Sequence, residues 1–226
     1  MERRLAVVAI LMAIASPVHA TRWNPAIELE AGAGQRTLDE RQSPGETALR
    51  RPSMGFGVTA GSSPDARTAL RAGVCFRRTI TASRLDWAST PGFEYREVVR
   101  ANELRLPVRL AWAPRGGRFA IEGGATGVYV LGATSEIEVD GTLFDGARPA
   151  SPEAIIFMPF AGEQDVTDLM RRGNVAATLG VRWGAHFGGR ATALSARYEH
   201  GLLNVTTATG HDERSRAVLV GASMYW

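Results

Sequence analysis

The chain ends Arg214-Ser-Arg-Ala-Val-Leu-Val-Gly-Ala-Ser-Met-Tyr-Trp226. Every second residue back from the end gives Trp226, Met224, Ala222, Val220 and Val218 on one face. Tyr225, Ser223, Gly221, Leu219 and Ala217 fall on the other. A period of two is a strand signal. An apolar outer face over a small or polar inner face, with aromatics at its end, is the pattern of a strand that crosses a bilayer within a barrel. A soluble edge strand can carry the same pattern, so the reading depends on whether the rest of the chain repeats it.

It does, in seven further segments. Residues 26–34 set Ile27, Leu29, Ala31 and Ala33 against Glu28, Glu30, Gly32 and Gly34. Residues 54–61 alternate Met54, Phe56, Val58 and Ala60 with Gly55, Gly57, Thr59 and Gly61. In 70–81, Leu70, Ala72, Val74 and Phe76 oppose Arg71, Gly73, Cys75 and Arg77. The clearest segment is 102–112, with Leu104, Leu106, Val108, Leu110 and Trp112 against Glu103, Arg105, Pro107, Arg109 and Ala111. Residues 118–131 alternate less cleanly, with Phe119, Ile121, Tyr129 and Leu131 against Glu122, Gly124 and Thr126. Residues 175–187 run from Val175 through Leu179 and Trp183 to Phe187, against Thr178, Gly180, Arg182, Gly184 and His186. Residues 191–201 set Thr192, Leu194, Ala196 and Tyr198 against Ser195, Arg197 and Glu199.

The connections alternate as well. Short turns rich in glycine and proline follow the second, fourth and sixth segments, at 62–65, 114–117 and 188–189. Long connections follow the first, third, fifth and seventh, at 35–53, 82–101, 132–174 and 202–213. A soluble sandwich has no reason to gather its long loops at one end, whereas a bacterial barrel pairs tight periplasmic turns with long outer loops. The expected fold is therefore all-β, a transmembrane up-and-down antiparallel barrel of eight strands, occupying residues 21–226. Both ends of that domain are expected on the periplasmic side, with four loops outside.

Residues 1–20 read as a signal peptide. Glu2-Arg3-Arg4 is a charged start, Leu5 to Ala15 an apolar core, and Ser16-Pro-Val-His-Ala20 a small-residue cleavage site. No later run approaches the roughly 20 apolar residues of a spanning helix. The expected location is the outer membrane of a Gram-negative bacterium. All 26 basic residues are arginine, against 23 acidic ones, for a formal charge of +3. Cleavage would remove Glu2, Arg3 and Arg4 and leave about +2. The basic residues are scattered among acids, which speaks against a nucleic-acid footprint. Cys75 is the one cysteine, so the domain must be stable without an internal disulfide.

Energetics decides which face meets lipid. An arginine on the lipid side near the midplane costs about 2–4 kcal/mol, so Arg105, Arg109, Arg182 and Arg197 belong inside. There they meet Glu28, Glu30, Glu103, Glu122 and Glu199, with Arg71 and Arg77 on the same side. Eight strands enclose a lumen just wide enough for side chains to fill. The expectation is an arginine–glutamate network that plugs the barrel, with glycines making room, rather than an open pore.

Three stretches carry a resemblance to a known family. Asn102-Glu-Leu-Arg-Leu-Pro-Val-Arg-Leu-Ala-Trp112 is similar to a "yLeiPlllk" strand, and 118–128, Arg-Phe-Ala-Ile-Glu-Gly-Gly-Ala-Thr-Gly-Val, to a "p-y-l-e-a-G-p" strand. Leu194-Ser-Ala-Arg-Tyr-Glu-His-Gly-Leu-Leu-Asn-Val205 is similar to "l-e-a-r-Y-t-x-G-l-x-n-i", followed by a last strand ending in an aromatic. On these the chain resembles the outer-membrane β-barrel family that includes the PorT-like proteins. The resemblance covers most of the mature chain at the level of pattern. It implies the barrel architecture and a structural, binding or secretion-associated envelope role. The implied partners are outer-membrane lipid, an envelope or secretion protein, and the barrel-assembly machinery through the strand ending at Trp226.

No residues stand out as catalytic, cofactor-binding or metal-binding. A barrel enzyme acting on lipid A would need a histidine with a serine nucleophile and a carboxylate. The nearest constellation is His200 with Ser195 and Glu199, but alternation puts His200 on the opposite face from both. His211 falls in the charged run His211-Asp-Glu-Arg-Ser215, which reads as a solvated loop tip. Ala31-Gly-Ala-Gly34 is a glycine-rich strand rather than a dinucleotide fingerprint. Cys75 reads as a small filler residue pointing inward, and Pro107 as a tolerated kink in a strand. The long connection 132–174 holds Ile137, Val139, Leu143 and Phe144 around Asp140-Gly141, a hairpin signal. If that hairpin joined the wall, the barrel would have ten strands. The connection also holds the apolar run Ile155, Ile156, Phe157, Met158 and Phe160, a candidate partner-binding loop. Folding over the barrel mouth is the favoured reading of this connection. The rival to a membrane barrel is an exported soluble one holding an apolar ligand.

Overall fold

The computed structural model describes residues 23–37, 46–62, 67–86, 94–114, 118–140, 144–145, 148–149, 162–205, 207 and 213–226. In chain order the strands are β1 (Asn24–Thr37), β2 (Glu46–Leu49), β3 (Arg51–Gly61), β4 (Thr68–Asp86), β5 (Glu94–Trp112) and β6 (Phe119–Asp140). Then come β7 (Phe144–Asp145), β8 (Arg148–Pro149), β9 (Gly162–Asp165), β10 (Gly173–Phe187), β11 (Arg190–Gly201) and β12 (Arg214–Tyr225). Eight of them form a ring of antiparallel pairs, in the order β1, β3, β4, β5, β6, β10, β11 and β12. The ring closes where β12 pairs with β1, Tyr225 opposite Ala26 and Arg214 opposite Thr37. Closure removes the exposed edges that an open sheet leaves unpaired. The fold is an eight-stranded up-and-down β-barrel.

The two faces of the wall carry opposite chemistry. Outward stand Ile27, Leu29, Met54, Phe56, Val58, Leu106, Leu110, Leu179, Leu194, Val218 and Val220, with Met54 68% exposed. Inward, Glu28, Arg71, Arg77, Arg109, Arg197 and Glu199 are buried, Arg197 to 2% exposure. A soluble protein hides its apolar side chains and wets its charges. Here the order is reversed, which is the surface of a barrel that spans a bilayer. No described helix is long and apolar enough to cross a membrane.

Local chemistry explains the irregular points. Gly188 and Gly189 form the two-residue turn from β10 to β11 with φ of 57° and 76°. A turn left-handed at both positions is the hairpin type that glycine favours. The uneven alternation over residues 118–131 comes from small residues at outward positions of β6 (Gly123, Ala125, Gly127) and apolar ones at inward positions (Val128, Val130), and the segment ends in a bulge. Asn102 lies opposite Gly132 but Glu103 opposite Val130, so Leu131 has no partner on β5. Pro107 keeps its register with Thr126 on β6. Between β4 and β5, however, the pairing lapses from Ala72–Val108 to Cys75–Arg105, as expected where proline offers no N–H.

Three strands outrun the wall. β4 and β5 have 19 residues each and β6 has 22, whereas about 10 suffice to cross a membrane. The connection expected at 82–101 is thus mostly strand, and the one expected to begin at 132 starts only after Asp140. The reason is continued pairing, from Asp86 opposite Glu94 down through Glu97 opposite Ile137. Ile137 and Val139 therefore belong to β6 rather than to a separate hairpin. Two short strands widen this projecting sheet, β2 against β4 and β9 against β6. Neither enters the ring, so the wall keeps eight strands; β7 and β8 form a small ladder of their own.

Candidate functional site: the charged lumen and its cap

The inward positions of six strands bring the arginines and glutamates together. Two glutamates of β1 are the hub. Glu28 Oε1 accepts from Arg109 Nη1 of β5 at 2.7 Å and from Arg197 Nη1 of β11 at 2.5 Å. Arg71 Nη2 of β4 lies 3.9 Å from its other oxygen. Glu30 receives Arg77 at 2.5 Å and Arg197 at 2.8 Å. Toward the long-loop end, Glu199 of β11 accepts from Arg77 at 2.7 Å and from Arg105 at 2.5 Å. Arg105 also reaches Glu103 at 3.0 Å. Glu122 of β6 lies 3.8 Å from Arg197, the one ion pair found for it among the described residues. All these groups but Glu103 are buried. Guanidinium forks suit such sharing, because their five donors can serve two carboxylates at once.

Glycines clear the space. A Cβ on Gly55 would sit 2.8 Å from Glu30 Oε1 and 2.9 Å from the Phe76 carbonyl. One on Gly221 would sit 2.9 Å from Ser195 Oγ and 3.2 Å from Arg197 Nη2. Both glycines are inward positions next to a charged side chain, so a larger residue would displace the network.

At the short-turn end the arginines find a different partner. Arg182 Nη2 donates to the Tyr225 hydroxyl at 2.7 Å. The guanidinium carbons of Arg71 and Arg182 lie 5.3 and 5.5 Å from the Tyr225 ring centre, within cation–π range. Arg71 also donates to Thr59 Oγ1 at 3.1 Å and to Ser223 Oγ at 3.4 Å. Tyr225, Thr59 and Ser223 carry no charge and were absent from the charged set read in the sequence. The signal for them was their place on the inner face of the alternation. Cys75 is buried on the same inner face.

Above the network the mouth is strapped. Residues 166–172 tie to β6 through Val166 N to the Ala133 carbonyl (3.0 Å), Ala133 N to Thr167 Oγ1 (2.9 Å) and Val130 N to the Arg172 carbonyl (2.8 Å). They tie to the last long connection through Arg171 N to the Val205 carbonyl and Thr207 N to the Leu169 carbonyl, both 2.9 Å. Arg36 of β1 reaches Met170 Sδ at 3.8 Å and pairs with Glu213 at 3.3 Å. Met170 and Val166 pack on Ala101, Val130 and Ala133. Asp165 Oδ1 accepts from the hydroxyl and the N–H of Thr167, which hold its carboxyl below the usual aspartate range. Between strap and network remains a cavity of about 60 Å³, with Arg77, Glu103, Arg105 and Glu199 among the residues lining it. That is room for a few water molecules. The run Ile155, Ile156, Phe157, Met158 and Phe160 lies outside the described residues, as do residues 1–22 and His211.

The serine–histidine–carboxylate combination does not assemble. Glu199 points into the lumen, where it accepts from Arg77 and Arg105, whereas the His200 ring stacks on Tyr198, centroids 6.5 Å apart, on the outer surface. No group of three or more potential metal ligands occurs among the described residues.

No family model matches the chain, and no curated protein does. Solved outer-membrane barrels are similar to it at low identity. Neisserial surface protein A is 11% identical, with 89% of this chain and 97% of that one covered and a TM-score of 0.46. Ail of Yersinia pestis, solved with the heparin analogue sucrose octasulfate, is 10% identical, with 91% and 100% covered and a TM-score of 0.42. The enzyme PagL is 11% identical, with 86% and 97% covered and a TM-score of 0.27. TM-scores this low carry no argument, and the fold rests on the chain's own strand pairing.

Proposed function

We propose that the protein is a plugged barrel of the bacterial outer membrane, a non-catalytic envelope component with a structural, binding or secretion-associated role such as the PorT-like resemblance implies. The observation that carries this reading is the reversed polarity of the wall, an apolar exterior around a lumen filled with paired charges. Residues 1–20 would be the cleaved export signal. Outer-membrane lipid would surround the belt, and the barrel-assembly machinery would take the strand ending at Trp226. The filled lumen and the strapped mouth favour a role carried on the outside, with the projecting part of β4, β5 and β6 offered to an envelope or secretion partner. An apolar cargo inside would need an apolar lumen, and His200 facing outward favours a non-catalytic role over lipid A modification.

The test is fractionation followed by gel mobility with and without boiling. The expected result is a band in the detergent-extracted outer-membrane fraction that migrates differently when unboiled. Recovery from the soluble periplasm with no heat-dependent shift would refute the reading.

A further inference from the structure

We propose that the outer face of β11, β12 and β1, at the long-loop edge of the apolar belt, binds the phosphate groups of an outer-leaflet glycolipid. The inference rests on the outer-membrane reading above.

Register fixes the site. Across the outer surface Ala177, His200, Arg216 and Gln35 are successive neighbours, and the row beneath is Leu179, Tyr198, Val218 and Ala33. His200 and Arg216 therefore stand directly above apolar side chains. Depth agrees with this. Arg216 is ten residues from Trp226, which at about 3.4 Å per residue and a tilt near 40° is about 26 Å along the normal. The apolar band of such barrels is about 25 Å tall. The pair thus stands where hydrocarbon gives way to headgroups.

The chemistry is cationic and preorganised. His200 stacks on Tyr198 with ring planes 17° apart, which holds the imidazole at the belt's edge. Arg50 joins the patch by donating from Nε to Gln35 Oε1 at 3.2 Å, beside Arg216 in the row. Neither of the two rows contains an acidic side chain. The contrast is the projecting sheet, where Arg96 and Arg100 already pair with Glu138 and Glu136. A guanidinium next to an imidazole, with apolar surface below for acyl chains, suits a phosphate borne on a lipid. A free anion would gain nothing from the belt.

The experiment uses the full chain refolded in uncharged detergent micelles. Diphosphorylated lipid A is titrated against the wild type, against the double variant H200A/R216A, and against R190A, which changes an exposed arginine at the short-turn end. Charge-assisted contacts of this kind predict a loss of about tenfold or more for the double variant, and no change for R190A. Removing both phosphates from the lipid should weaken wild-type binding by a similar factor. Equal binding by the double variant, or by the dephosphorylated lipid, would overturn the proposal. Inorganic phosphate that binds as tightly as the lipid would assign the site to a free anion and overturn the lipid assignment. The heat-dependent gel shift is run on the same sample. A preparation that shifts but fails the titration refutes the lipid site alone, and one that does not shift refutes the barrel reading with it.

Discussion

Replacing Glu28 by glutamine removes the negative charge on which three arginines converge while keeping the side chain's shape. Arg197 would retain Glu30 at 2.8 Å. Arg109 would retain no carboxylate within ion-pair distance among the described residues, since Glu28 is the one paired with it. Glu28 and Arg109 are 1% and 4% exposed, so the stranded cation has little water to turn to. Breaking a buried pair by removing one partner costs about 3–5 kcal/mol, or about two to three and a half orders of magnitude in the folding equilibrium. The assay is reversible urea unfolding in phospholipid vesicles, followed by tryptophan fluorescence. Arg96→Ala is the control, because its pair with Glu138 is 35% and 52% exposed and such pairs contribute about 0–1 kcal/mol. Adding Arg109→Met to Glu28→Gln should recover part of the loss, since Arg109 is then no longer a stranded cation, while Arg71 still lacks the carboxylate that lay 3.9 Å from it. If Glu28→Gln costs no more than the control, the lumen is solvated and the plug reasoning is wrong.

Other perturbations probe the wall and the cap. Val220→Arg places a cation six residues in from Trp226 on the outer face and should cost about 2–4 kcal/mol in the same unfolding assay; a cost below about 1 kcal/mol would place β12 outside the hydrocarbon. Thr167→Ala removes the hydroxyl between Ala133 and Asp165, so amide exchange should quicken across 166–172 while the ring stays protected, and unchanged exchange would show that the strap does not depend on it. Because the Asp165 carboxyl is held below the usual aspartate range by Thr167, its contribution to the strap is present above that range and lost as pH falls through the lowered value. Exchange in the strap should quicken there ahead of the wall. Cys75, 3% exposed, should resist maleimide in the folded barrel and react after boiling; ready labelling of the folded protein would contradict its inward placement.

Much of the wall was legible because a membrane barrel writes both of its solvents into each strand. Leu104, Leu106 and Leu110 alternate with Glu103, Arg105 and Arg109, and energetics alone settles which set faces lipid. The eleven charged residues lie on the lumen side, where alternation assigns them. Which glutamate meets which arginine was not legible. That depends on stagger between strands far apart in sequence, and alternation carries no such information. The extent of β4, β5 and β6 was missed because above the membrane the outward positions need no longer be apolar. Arg84, Arg96 and Glu138 look like loop residues, although continued pairing makes them strand. Gly123, Ala125 and Gly127 at outward positions blurred the alternation in β6 ahead of the bulge at Leu131, and the role of Tyr225 was hidden because a phenol between two guanidiniums leaves no charge pattern to read.

The pairing of Glu28 with Arg197 spans 169 residues, so the network begun by Arg71, Arg77 and Arg109 of the third and fourth strands of the ring is completed only when the seventh arrives. Contacts this distant along a chain form late. Until β11 and β12 are in place, the half-built sheet exposes hydrated arginines and glutamates on its concave side. Dehydrating them one at a time would strand each in turn. Drying of the interior and sealing of the seam between β1 and β12 therefore become a single event. The protein is expected to populate an open, water-filled intermediate and a closed, dry barrel, with little in between.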